Sequence, residues 1–281
     1  MALFILVFKR LFVKILFLFL TLAFSILYAS PFGNKLVVPI TELDSNLENF
    51  AYTPAFDLKV GESGMIIRWL DNGRSVIVAQ AAVIEISNNK AKIAFEPFAG
   101  LQQPAFPTPL LTPQKNDEVI FRSFNDRALL IAPSQEIYEK IKAVYPEVHW
   151  IHPDLLAAHL ISEGHLAPVK GDFRKVCTQY ATGIVYLVNL NEGLALDCQT
   201  FLPLKRDYIS GRVAVEERMR PFFSRVGNQS QDWFSYLIGG VSVDDYYIYF
   251  DSLLKGEIKD EDATFFGKIT KYFTQELKSI F

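Results

Sequence analysis

Cysteine is nearly absent: 2 of 281 residues. No Cys-x-x-Cys pair and no four-ligand zinc spacing occur, which excludes a thioredoxin-like redox centre and a structural zinc site. An excess of basic charge is lacking too. The 28 Lys and Arg residues stand against 31 Asp and Glu, which argues against nonspecific binding to nucleic acid or anionic lipid. There are four histidines, His149, His152, His159 and His165, and no His-Glu-x-x-His. His149 and His152 beside Asp154 invite a metal reading, but strand alternation sends the two rings to opposite faces. They read as scattered structural histidines.

Catalytic motifs are missing as well. Gly61-Glu62-Ser63-Gly64 starts like a nucleophile elbow, but position 65 is Met, so these glycines read as a turn before a strand. Ala132-Pro133-Ser134-Gln135 joins an apolar run to a helical pattern, where phosphate loops often lie. It contains no glycine, and Pro133 removes one N–H, so Ser134 reads as a helix cap. Asp244-Asp245 reads as charge at a helix N-terminus. No catalytic, cofactor-binding or metal-binding residue is assigned, and the expectation is a protein that is not an enzyme.

Long apolar runs are confined to the start. Ile15 to Tyr28 is an uncharged run of 14 residues behind Lys9, Arg10 and Lys14. A membrane span needs roughly 20 such residues, so the run predicts an export signal over 1–29 with cleavage after Ala29, the alternative being an uncleaved anchor helped by the apolar stretch Met1 to Phe8; contact with a membrane is expected only through such an anchor or the C-terminal helix. Beyond it, 25 basic residues face 31 acidic ones, a formal charge of −6. The expected location is the periplasm, outer membrane or cell surface. In that oxidising setting Cys177 and Cys198, 21 residues apart, either form a disulfide or stay as two buried thiols.

What is present is a change of pattern near residue 125. After a lead over 30–57, residues 58–124 read as short strands: Met65–Leu70, Arg74–Ile86, Lys90–Phe95 and Glu118–Phe124. Asn-Gly and Asn-Asn turns and a proline-rich connection link them. This predicts a small antiparallel β-barrel, SH3-like or OB-like. Residues 125–204 alternate strand and helix, an α/β domain. Ala128–Ala132, Val148–Ile151, Ile184–Asn189 and Leu194–Cys198 are its strands. Helices are expected over 134–145, after Pro153, and from a cap at Asp172 to about Thr182. Residues 205–281 read as an irregular segment followed by C-terminal helices, the last with a wide stripe of Phe265, Phe266, Ile269, Tyr272 and Phe273. The expected fold class is a two-domain α+β or α/β protein.

Several stretches occur together in order: LKVGESGMIIRW (58–69), AKIAFEPFAGLQQPAFPTPLLTPQKNDEVI (91–120), NDRALLIAPSQEIYEKI (125–141), HPDLLAAHL (152–160), DFRKVCTQYATGIVYLV (172–188) and LDCQTF (196–201). Over about residues 50–205 they resemble the N-terminal domain of PgbA-type plasminogen-binding proteins, with a looser match to RMRPFFSRV (218–226). The resemblance implies surface exposure and capture of host plasminogen. Plasminogen kringles grip lysine with paired carboxylates and an aromatic cage. Family members carry a long Lys- and Glu-rich tail, whereas this sequence ends QELKSIF. Lys268, Lys271 and Lys278 are the weak internal substitutes. The function expected is therefore an exported, non-enzymatic binding or envelope-associated protein with little plasminogen capture of its own. The partner would be plasminogen or an envelope protein. The alternative is a periplasmic enzyme or small-ligand binder using the α/β cleft, and the edge formed by the strand ends at 128–132, 148–151 and 184–189 separates the two.

Overall fold

The computed structural model describes residues 30–45, 48–71, 73–98, 111–165, 167–209, 221–226, 246–258 and 265–269. The predicted signal over 1–29, Pro104, Pro107 and Pro109, the Asp244-Asp245 pair, and Lys271 and Lys278 lie outside them. The described residues form a mixed α+β protein with two sheets.

The first sheet is antiparallel and seven-stranded. Its strands are β1 (Leu36–Pro39), β2 (Glu42–Leu43), β3 (Phe50–Pro54), β4 (Ser63–Trp69), β5 (Ser75–Ser87), β6 (Lys90–Pro97) and β7 (Glu118–Phe121), in the order β1-β7-β4-β5-β6-β3-β2. β5 and β6 meet at a tight turn in which Asn88 and Asn89 both hold positive φ (49° and 59°). Asparagine tolerates that region, as the sequence suggested. Bulges at Ile66/Ile67 and Val83/Glu85 bend the long strands. The lead contributes β1, β2 and β3, which the sequence reading left unstructured. Residues 36–43 also do double duty. β1 pairs with β7, Ile40 exchanges backbone bonds with Asn116 and Asp117, and β2 pairs with β3. One bent stretch thus occupies both edges of the sheet. Val38, Ile40, Ala51, Ile66, Ala81, Val83, Ile93, Val119 and Phe121 fill its concave side.

The second sheet holds β8 (Arg127–Ile131), β9 (His149–Ile151), β10 (Ile184–Asn189), β11 (Glu192–Asp197) and β12 (Pro203–Tyr208), ordered β12-β11-β10-β8-β9. β9, β8 and β10 run parallel, and β10, β11 and β12 are antiparallel neighbours. Helix α1 (Gln135–Val144) packs Ile137, Tyr138 and Ile141 on one face, against Ala128 and Leu130. Helices α2 (Asp154–Glu163), α3 (Lys170–Tyr180) and α4 (Tyr246–Lys255) cover the other face, against Leu129 and Ile131. Alternation along β8 therefore feeds both cores, and each fully buried Leu or Ile contributes about 1.5–3 kcal/mol. Helix α3 starts at Lys170, two residues before the expected cap. Asp172 lies inside the first turn and its carboxylate reaches back to accept from the Val169 N–H (3.0 Å). The helical stretch 265–269 packs Phe266 and Ile269 on Ala82, Ala94 and Leu202, so the visible part of the aromatic stripe faces the body.

The two sheets are joined by a polar knot. Asp197, 3% exposed at the end of β11, accepts from the Ser63 N–H (2.9 Å) and hydroxyl (2.8 Å) on β4. It also accepts from the backbone N–H groups of Gln199 and Thr200. The Thr200 hydroxyl donates to the Gly61 carbonyl (2.5 Å). Gly61 has φ +88°, and a Cβ there would lie 2.5 Å from Leu202. Burial pushes the Asp197 carboxyl up, and its donors restrain the shift.

Candidate functional site

In an open sheet with parallel strands, ligands favour the crevice at the strands' carboxyl ends, where connections leave to opposite faces. Here the chain leaves β8 through α1 on one face and reaches β10 through α2 and α3 on the other. That crevice is filled by the protein itself. The Tyr246 hydroxyl donates to the Val188 carbonyl (2.8 Å) and lies 3.2 Å from that of Ile131. Burial holds the Tyr246 pKa well above its ordinary value, so the phenol stays a donor. The Phe223 N–H donates to the Ala132 carbonyl (2.8 Å), and the Phe223 ring packs on Tyr138 (5.2 Å between centroids). Ser134 is buried and its Oγ accepts from the Ile137 N–H at 3.4 Å, capping α1. The joint is structural.

Residues 221–226 form a strap over this edge. Asp154 on α2 holds it: Oδ1 accepts from the Ser224 hydroxyl and the Arg225 N–H, each at 2.9 Å, and Oδ2 accepts from Arg225 Nε at 2.8 Å. Arg225 and Ser224 keep the Asp154 pKa below the usual carboxylate range although burial opposes this.

The histidines separate as alternation predicts, but two of them meet elsewhere. His149 is exposed, 4.0 Å from Asp126. His159 Nε2 (3.2 Å) and His165 Nδ1 (2.8 Å) converge on one oxygen of Asp172, which is 1% exposed. This ties the end of α2 to the start of α3. The spacing gave no sign of it, because the loop after Gly164 turns the chain back. Among the described residues no His, Cys, Asp and Glu group is arranged to hold a metal ion. Cys177 on α3 and Cys198 after β11 form a disulfide, Cα–Cα 6.0 Å. Ser63, inside the failed elbow motif, spends its hydroxyl on Asp197.

A small cleft of about 130 Å³ lies between the sheets, lined by Phe32, Asp57, Lys59, Glu62, Arg122 and Lys205. Its polar side chains bond within the protein. Arg122 bridges Glu62 and Asp57, and Lys59 donates to the Leu204 carbonyl. Burial would lower the Arg122 pKa, but the two carboxylates outweigh it and raise it.

The described lysines differ in their surroundings, and Lys35 and Lys115 are exposed. Lys92 sits over Phe50 and Tyr52 and pairs with Asp44 (3.0 Å). Lys205 sits over Phe32 and Tyr145 and pairs with Asp207 (3.1 Å). Both are gripped by rings and a carboxylate of their own chain. On the surface, Lys140 pairs with Glu136, Lys142 with Glu139, Lys175 with Glu163 and Lys255 with Asp251. Lys268 is exposed within 265–269. Among the described residues, no helix is long and apolar enough to cross a membrane.

Comparison with known proteins gives a consistent result. The family model described as plasminogen-binding protein pgbA N-terminal matches residues 35–254. Two curated relatives, both named plasminogen-binding protein PgbA and both from Helicobacter pylori, strains J99 and 26695, are 34% and 33% identical over 208 residues. That covers 74% of this chain and 45% of each relative, so the chain spans about half the length of the relatives it matches. The resemblance read from the motifs is therefore correct and extends further along the chain: this protein belongs to the PgbA N-terminal family of plasminogen-binding proteins.

Proposed function

We propose that this chain is the folded module of an exported, non-enzymatic protein that binds a protein partner from its surface. The carrying observation is the filled crevice. Tyr246 and the strap occupy the place where an α/β ligand site would form, and their donors are spent on the strand-end carbonyls. The names of the relatives point the same way, toward binding rather than catalysis. Export rests on the apolar run at Ile15–Tyr28. The use of residues 36–43 at both edges of the first sheet supports reading it as a small barrel of the SH3-like or OB-like kind.

Plasminogen, the ligand in the relatives' names, is the first partner to test. Among the described residues this body offers it the exposed Lys35, Lys115 and Lys268, few enough to support a weak grip. Lys92 and Lys205 are already caged, and the surface lysines of α1, α3 and α4 are already paired with carboxylates. Surface plasmon resonance on immobilised plasminogen should give affinity no tighter than the micromolar range, competed by 6-aminohexanoate. Submicromolar capture abolished by that lysine analogue would overturn this reading and make the folded body a full plasminogen receptor.

A further inference from the structure

We propose that His152 is an acid-sensitive pin for the strap 221–226, and that protonating it releases the strap from the carboxyl end of β8. His152 lies at the end of β9, where its ring packs against Tyr138 (5.3 Å) and Phe223 (6.2 Å). Its Nδ1 accepts from the Asp154 N–H at 3.1 Å, which satisfies a free donor at the start of α2. A neutral imidazole offers one acceptor nitrogen and an imidazolium offers none. Adding a proton therefore sets two donors against each other at the positive pole of α2.

The proton also finds a new target. Nδ1 lies 3.2 Å from Asp154 Oδ1. That oxygen already accepts from the Ser224 hydroxyl and the Arg225 N–H. An imidazolium N–H competes for the atom that fastens the strap. The charged neighbours are Asp154, which favours the charged ring, and Arg225 and Lys142, which oppose it. Lys142 is itself held by Glu139 at 3.3 Å. Tyr138 remains a neutral phenol, since burial pushes its pKa to about 12.

The sign follows from these contacts. Burial first, then Arg225 and Lys142, hold the His152 pKa below its ordinary 6.5 in the folded protein. A lowered folded value means that the unfolded chain binds the proton more readily. The contribution is full above pH 6.5 and is lost as pH falls through the folded value. Asp154 stays ionised over that window because its own pKa is lowered. Releasing the strap uncovers the Ala132 carbonyl and the face of Tyr138 at the end of β8, while Tyr246 stays on the Val188 and Ile131 carbonyls.

Hydrogen exchange on the purified protein at pH 7.5 and pH 5.0, corrected for intrinsic rates, reads this directly. Protection of the Phe223 and Arg225 amides should fall at least tenfold in acid. In His152→Gln, whose amide oxygen can accept from Asp154 without titrating, the change should stay within twofold. An equal fall in the Gln variant, or none in the wild type, overturns the proposal. Should the variant fold poorly, an NMR titration of the wild type decides. The Asp154 and Arg225 amides should move with the same midpoint as the His152 ring nitrogens, and a different midpoint overturns it.

Discussion

Removing the carboxylate of Asp197 is the sharpest test of how the two sheets are held together. In Asp197→Ala the backbone N–H groups of Ser63, Gln199 and Thr200 lose their acceptor, as does the Ser63 hydroxyl. Each donor left unpaired in the interior costs about 1–3 kcal/mol. Water can reach the half-buried Ser63 and Gln199, so part of that loss is recovered. The expected total is about 3–5 kcal/mol, the range seen when one side of a buried polar network is removed. For a folded body of this size, that lowers Tm by roughly 6–20 °C. Asp197→Asn keeps one acceptor oxygen but adds an N–H₂ where only donors converge, so it should fall between the wild type and Ala. Urea melts followed by circular dichroism measure both. The knot links β4 to β11, so the Ala variant should also lose the single cooperative transition and show two. A loss under 1 kcal/mol with one transition intact would refute the reasoning.

Other outcomes follow from single contacts. Gly61→Ala places a Cβ 2.5 Å from Leu202 at φ +88°, and should destabilise by about 2 kcal/mol or more in the same melts. The Cys177–Cys198 bond closes a loop of about the length for which the entropy model gives about 3 kcal/mol. Thiol titration of the native protein should find no free thiol, and Cys177→Ala/Cys198→Ala should melt earlier by a comparable amount. Ser134→Ala should cost about 0.5–1 kcal/mol, at the low end for a cap, because its bond to Ile137 is long. A larger loss would mean that the Ser134 hydroxyl serves something besides α1.

Local pattern made the second sheet legible. Ala128–Ala132 followed by Pro133 and Ser134 reads as a buried strand meeting a capped helix, and β8 and α1 are that pair. The tight turn at Asn88-Asn89 was equally plain, since two consecutive residues with positive φ favour Asn there. β1 to β3 escaped notice because Pro39 and Pro54 end two of them and polar Thr41 and Glu42 interrupt the apolar alternation. Such strands are fixed by pairing, not by propensity. The contacts that matter most for the site were beyond reach of any window. Ser63 meets Asp197 across 134 residues, and Tyr246 meets Ile131 across 115. His159 and His165 looked scattered because each is unremarkable on its own helix or loop, and only the return of α3 brings Asp172 between them.

The bent stretch 36–43 bears on how partners can approach. A strand edge with unspent N–H and C=O groups is the place where a foreign chain can zip on, or where copies stick together. In the first sheet the same short stretch forms both margins, with 36–39 pairing inward to β7 and 42–43 pairing inward to β3. The margins of the second sheet are β9 and β12. On β12, Lys205 and Arg206 bring charge, and Lys59 already occupies the Leu204 carbonyl. A chain arriving at either margin of the first sheet would therefore meet the same bent stretch, 36–43.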